Sequence, residues 1–117
     1  MRFSPADRLT SKKDFQLVFA NSNKVTYQFL LVLYRSNQKP TARLGIIISK
    51  QYVKRAVERN YLRRIIRESF RQHKEMLKGL DIVVLIRSEC TPVPHRMGKK
   101  VLRSSVDTLW SKVSKLV

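Results

Sequence analysis

The sequence predicts an α+β (α/β) two-layer sandwich, in the order helix, strand, strand, strand, helix, strand, helix, around a mixed sheet. Three observations predict it. Apolar residues recur at spacings of three and four in three separate stretches, the signature of helices with one buried face. Between them lie runs rich in β-branched and aromatic residues, which suit strands. Gly, Pro, Asn and Ser punctuate the gaps, with no repeat, linker or low-complexity segment. At 117 residues the chain is expected to form one domain spanning 1–117, enough for a single modest core.

Ser11 opens the first helix as its N-cap, with Asp14 three residues on in a capping-box-like arrangement. The helix runs to about Ala20, puts Phe15, Val18 and Phe19 on one face, and stops at Asn21-Ser22-Asn23. Lys24 to Tyr34 reads as extended, broken into a short strand and a longer one that includes Phe29 to Leu33. Ser36 to Thr41, with Pro40, is a turn, and Ala42 to Ser49 (ARLGIIIS) is the next strand. The short connection predicts that it pairs with its predecessor as an antiparallel hairpin. Along it Arg43, Gly45, Ile47 and Ser49 alternate with Leu44, Ile46 and Ile48, the expected core side. Gly45, between bulky neighbours, either admits a close approach by a ligand or backbone or marks a packing gap.

The main helix begins near Ala56 and ends at Lys78-Gly79, glycine being favoured just past a helix end. Asp81 to Arg87 (DIVVLIR) reads as a buried strand, and Glu89 to Pro94, with two prolines, as a turn. From about Met97, Leu102, Val106, Leu109, Trp110, Val113 and Leu116 form a last amphipathic helix, with Trp110 as its packing anchor. The span from ARLGIIIS through the main helix to DIVVLIR suffices for a parallel crossover, for which general physics favours the right hand.

Function concentrates in Ser49 to Arg71, SKQYVKRAVERNYLRRIIRESFR. Wound as a helix, it lines up Leu62, Ile65, Ile66 and Phe70 on one stripe; Asn60, Arg64, Arg67 and Arg71, with Arg63 beside them, project from the other side. Solvated surface helices interleave acid and base. Only Glu58, Glu68 and Glu75 dilute this one, and none falls in that row, so a polyanion surface is the favoured reading. The whole chain agrees: 25 Lys and Arg against 8 Asp and Glu give a net charge of +17, spread from Arg2 to Lys115. A membrane-spanning role is excluded by pattern. The longest apolar runs, Phe29 to Tyr34 and Ile82 to Ile86, fall far short of the roughly 20 residues a span needs. The start, MRFSPADRL, lacks a signal-peptide core, so a cytoplasmic location is expected.

Residues for self-sufficient catalysis are missing. Cleavage of phosphodiesters by metal ions needs clustered carboxylates, whereas Asp7, Asp14, Glu58, Glu68, Glu75, Asp81, Glu89 and Asp107 are scattered singly. The single cysteine, Cys90, permits neither an intrachain disulfide nor a cysteine zinc cluster. His73 and His95 have no recognisable spacing to it, and both read as structural. No phosphate-binding Gly loop or nucleophile elbow is visible.

KRAVERNYLRRIIRESFR, preceded by Ser49-Lys50, closely resembles the signature of the protein subunit of bacterial ribonuclease P, with its conspicuous Arg59-Asn60 and basic pair Arg63-Arg64. The resemblance extends to Arg8-Leu9, the Phe15-x-x-x-Phe19 segment, the RLGIIISK and DIVVLIR strands and the C-terminal helix, which together account for nearly the whole chain. It implies a left-handed βαβ crossover, and a protein cofactor whose partner, the catalytic ribonuclease P RNA, performs the Mg²⁺-dependent hydrolysis that matures the 5′ end of precursor tRNA. Mg²⁺ is then expected in the holoenzyme, held mainly by RNA, with neither an obligate protein partner nor a membrane. It also implies residue roles. Arg59, Asn60, Arg63, Arg64, Arg67 and Arg71 would dock the catalytic RNA, Asn60 either bonding RNA or fixing the turn that starts the helix. Phe15 and Phe19, with Arg8, Ser49 and Lys50, would meet the single-stranded 5′ leader of the substrate, and Phe29 or Tyr34 is the candidate for a further ring. Lys54 and Arg55 lie between the two surfaces and are assigned to the RNA-docking set. The family often has Lys where this chain has Arg63, and a second Lys where it has Gln51; both changes leave ample positive charge. A structural RNA-binding protein, such as a ribosomal one, fits charge and size equally well, but it needs no aromatic helix facing a sheet. Sequence-specific DNA binding predicts two short helices and a tight turn, not a basic helix flanked by strands.

Overall fold

In the computed structural model, which describes residues 8–9, 11–27, 30–51, 53–86 and 99–116, Ser11 caps the first helix, α1 (Lys12–Ala20). Its hydroxyl oxygen accepts a hydrogen bond from the Asp14 amide at 3.1 Å, satisfying one of the donors that a helix start leaves orphaned. The Asp14 carboxylate does not close a capping box; it turns to Arg43. The extended stretch is broken as expected into β1 (Asn23–Tyr27) and β2 (Leu30–Ser36), antiparallel neighbours with Val25 opposite Val32. There follow β3 (Arg43–Ile48), α2 (Ala56–His73), a 3-10 turn (Lys74–Leu77), β4 (Leu80–Ile86) and α3 (Lys99–Leu116). Gly79, just beyond the 3-10 turn, has φ of 80°, in the left-handed region where a side chain is strained.

The sheet order is β1-β2-β4-β3, which overturns the hairpin expected between β2 and β3. β4 lies between them, antiparallel to β2 with Tyr34 opposite Ile82, and parallel to β3 with Ile46 opposite Val84. The connection 37–42 steps over the start of β4: the Asn37 amide donates to the Gly79 carbonyl at 2.8 Å, and the Gly79 amide donates to the Thr41 carbonyl at 3.3 Å. Crossing one strand means covering about two 4.8 Å inter-strand spacings, well within reach of six residues. Ile82, Val83 and Val84 are all fully buried. A strand apolar on both sides is most stable in the middle of a sheet covered on both faces, and this one draws its neighbours apart to get there.

Both faces are covered. Leu30, Val32, Leu44, Ile48, Ile82, Val84 and Ile86 meet α2 through Leu62, Ile65, Ile66 and Phe70, and α3 through Leu102, Val106, Leu109, Trp110 and Val113. On the opposite face Leu31, Leu33 and Val83 pack with Leu9 and Val18, and Phe15, Ile47 and Leu85 join at the margin. The expected core side of β3 therefore holds. Trp110 is the packing anchor of α3: fully buried, edge-on to Phe70 with centroids 5.9 Å apart, its indole NH donating to Ser69 Oγ at 2.8 Å. Ser69 in turn donates to Asp107. Tyr34 belongs to this same core, with α2 and α3, on the face of the sheet opposite Phe15. Phe29, Cys90, His95 and the Glu89–Pro94 turn lie outside the described residues.

Candidate nucleic-acid interface

α2 forms because its apolar residues recur at helical spacing, and burying that stripe decides which way its cations point. Asn60, Arg63, Arg64, Arg67 and Arg71 line one open groove of about 750 Å³ along the helix. Glu68, outside the row in the linear reading, lines it too. The helix start is electrostatically uphill: Lys54 and Arg55 are exposed at the positive end of the helix dipole, where anions are favoured and cations are not. Arg55 is the N-cap residue without a capping side chain; Glu58 offsets it across 3.9 Å. Such a concentration of fixed positive charge lowers its energy when a polyanion arrives.

Arg59 is used differently. Its Nη1 donates to the carbonyls of Val53 and Lys54, both at 2.9 Å, tying down the loop that leads into α2. That makes Arg59, rather than Asn60, the residue that fixes the turn; Asn60 is exposed in the groove.

A second, smaller recess of about 150 Å³ opens between the N-terminal segment, α1, β3 and α2, lined by Arg8, Leu9, Phe15, Leu44, Gly45, Ile46 and Arg67. Residues 8–9 run beside the edge of β3, Arg8 bridging to Leu44 and the Leu9 amide donating to the Leu44 carbonyl at 3.0 Å. Gly45 makes the recess possible: a Cβ there would fall 2.6 Å from the Phe15 ring. The close approach at this glycine is thus made by Phe15. Of the residues expected to meet a leader, Arg8 and Phe15 come together here. Phe19 is 47% exposed on α1 and does not line this recess. Neither do Ser49, whose Oγ accepts from the Gln51 amide, or the exposed Lys50.

Arg67 lines both depressions. Burial lowers its guanidinium pKa, and the charges of Arg8 and Arg63 push the same way, although arginine stays charged at neutral pH. Its place at the junction escaped the helical projection, which puts it in the outward row with Asn60, Arg64 and Arg71 but cannot say that α1 and β3 lie alongside.

An ion-pair network ties α1 to β3 and β4 next to these residues; Asp14, Arg43 and Asp81 are far apart in sequence, so no local pattern announces it. Arg43 holds Asp81 two-handed, Nε to Oδ1 at 2.8 Å and Nη2 to Oδ2 at 2.7 Å, and reaches Asp14 Oδ2 at 3.2 Å. Asn37 Nδ2 donates to Asp81 Oδ1 at 2.9 Å. Burial pushes the Asp81 carboxyl up, but the hydrogen bonds from Arg43 and Asn37, with the charges of Arg43 and Lys39, outweigh it and hold the carboxyl below the usual range. The only signal in sequence was period-two alternation, which put Arg43 on the same β3 face as Gly45, the face that α1 covers.

The ribonuclease P family profile matches residues 3–114. The chain belongs to the ribonuclease P protein family. It is 34% identical over 112 residues to the ribonuclease P protein component of Thioalkalivibrio sulfidiphilus, covering 96% of this chain and 90% of that one. Its identity to the Pseudomonas entomophila protein component is 45% over 111 residues, covering 87% and 84%. Among solved structures it is similar to the RNase P protein from Thermotoga maritima, with TM-score 0.81, 32% identity and coverage of 90% and 98%. The Staphylococcus aureus RNase P protein gives TM-score 0.79 at 28% identity, covering 92% and 94%. Ribonuclease P proteins are subunits of an endoribonuclease acting in tRNA 5′ maturation, and membership sets aside the ribosomal-scaffold reading. Among the described residues, no helix is long and apolar enough to cross a membrane.

Proposed function

We propose that this chain, as one RNA-binding domain spanning residues 1–117 in the cytoplasm, docks the ribonuclease P RNA along α2 and grips the 5′ leader of precursor tRNA beside α1. The observation that carries this reading is the junction at Arg67, where a cationic groove along one helix meets a recess bearing an aromatic ring. Guanidinium forks of Arg63, Arg64, Arg67 and Arg71 match phosphate oxygens in pairs, with Lys54 and Arg55 adding charge at the helix start. Arg59 serves that surface by fixing its approach loop, in addition to any contact of its own. Phe15 and Phe19 offer faces for unstacked leader bases, and Arg8, Ser49 and Lys50 offer donors to the leader backbone.

The carboxylates of the described residues do not fit a resident divalent ion. No three of the His, Cys, Asp and Glu side chains gather in one place, and Asp14 and Asp81 are taken up by Arg43. The Mg²⁺ expected in the holoenzyme belongs, in this proposal, to the RNA. The protein's own work is to neutralise phosphates and orient the leader, which strengthens substrate binding. Reconstitution tests it: adding the protein to bacterial ribonuclease P RNA should improve cleavage of precursor tRNA at low Mg²⁺. No improvement would refute the reading.

A further inference from the structure

α2 departs from its own amphipathic pattern beside its buried stripe, where the solvent-facing side begins. Val57 is 79% exposed and Tyr61, one turn on, is 40% exposed. At i and i+4 they are neighbours on one face, and Arg64 follows Tyr61 by three. Single exposed apolar residues are ordinary; an aromatic next to a β-branched residue at the lip of a cationic groove is a more specific arrangement. Neither side chain helps the helix by propensity, since aromatic and β-branched residues rank below Lys, Arg, Gln and Glu in helices. Asn60, Arg63 and Arg64 line the groove beside Tyr61, and Lys54 and Arg55 stand exposed at the helix start. Whatever covers the pair must therefore suit a surrounding that is mainly cationic, with Glu58 and Glu68 as the acidic exceptions, and it needs only a small flat apolar surface of its own. An unpaired nucleotide has both properties, a phosphate for the arginines and a base face for the ring.

We propose that Tyr61, with Val57 on the same face, is a stacking platform for one unpaired base of the RNA that lies in the α2 groove. This rests on the docking of the catalytic RNA proposed above and adds a contact of a different kind. The arginines hold the backbone; the tyrosine takes a base out of solvent and so favours RNA that is unpaired at that point. Stacking on an aromatic face is tolerant of base identity, because every base has a π-face.

Titrating the protein against bacterial ribonuclease P RNA over a salt series tests it. Tyr61→Ala should weaken binding by roughly 5- to 150-fold, the value of one lost stack, with the logarithmic salt slope unchanged because no charge has been removed. Tyr61→Phe should bind like the wild type, and Tyr61→Leu should bind like Tyr61→Ala, which separates stacking from apolar packing. Chemical probing of the RNA should show a nucleotide protected by the wild type and by Tyr61→Phe but reactive with Tyr61→Leu. Tyr61→Leu keeps the helix and the apolar bulk, so the test stands even where Tyr61→Ala folds poorly. Wild-type affinity in Tyr61→Leu, or a shallower salt slope in Tyr61→Ala, overturns the proposal. Should Arg64→Ala in the same assay weaken binding while Tyr61→Ala and Tyr61→Leu do not, the platform alone is wrong. Should Arg64→Ala and both Tyr61 variants bind like the wild type, the docking of RNA along α2 falls with it.

Discussion

Replacing Arg43 by Met removes the guanidinium from the buried network and keeps most of the stem. Asp81, whose side chain is 6% exposed, then keeps the Asn37 amide but loses two charge-assisted bonds. Orphaning one member of a buried pair costs about 3–5 kcal/mol, a large part of the roughly 5–15 kcal/mol that holds a domain of this size together. With a urea dependence of about 2 kcal/mol per molar, the unfolding midpoint should fall by on the order of 2 M. Asp14→Asn cuts only the more exposed arm, 26% accessible, and should cost about 1 kcal/mol or less. Acid makes the sign specific. In the wild type Asp81 titrates below its ordinary value of 3.8, so its stabilisation is fully present above that value and is lost as pH falls through the folded pKa. In Arg43→Met burial, the largest influence, is opposed only by the Asn37 hydrogen bond and the Lys39 charge, so the carboxyl rises relative to the wild type and its ionised form no longer gives the fold that stabilisation at neutral pH. The gap between the two proteins should therefore be wide at pH 7 and narrow below pH 3.8. Asp81→Asn added to Arg43→Met should restore part of the loss by removing the orphaned charge. A cost under about 1 kcal/mol, as for an exposed pair, or a gap that widens on acidification, would refute this account.

The two phenylalanines of α1 should separate. Phe19→Ala, at an exposed site, should change stability by no more than about 0.5 kcal/mol yet cost precursor tRNA binding about 1–3 kcal/mol, with mature tRNA unaffected; Phe15→Ala should lower thermal stability and precursor affinity together. Gly45→Ala should drive the Phe15 ring out of the recess. Because the far end of a half-buried side chain can yield, the stability cost should sit near the lower end of the roughly 1–3 kcal/mol usual for overpacking, while precursor affinity falls selectively. Arg64→Ala should leave the unfolding transition intact and reduce the salt slope of binding to the catalytic RNA by about 0.7–0.9 or less.

Much of this protein is legible in one dimension because one-dimensional periodicity encodes burial. The Leu62, Ile65, Ile66 and Phe70 stripe is readable at spacings of three and four, and every member is buried; the cations between them then have to face outward. Ser11 and Gly79 are readable because capping and left-handed turns place local demands on residue type. Burial of DIVVLI is legible as well, but the strand order is not: a strand apolar on both faces is best placed at the centre of the sheet, and here that position separates β2 from β3.

By itself, then, the sequence determined the element order, the buried side of each helix and the cationic face of α2, since each follows from side-chain pattern and local backbone chemistry. Tertiary structure alone decided that β4 separates β2 from β3, that Arg43 gathers Asp14 and Asp81, that Tyr34 belongs to the core with α2 and α3, that Arg59 ties down a loop, and that Arg67 stands at the junction of groove and recess. These are matters of which surfaces meet. Pairing partners separated by 29 or 38 residues leave no periodic trace, because a charged side chain in the sequence has the same pattern whether it ends in water or in the grip of a distant carboxylate.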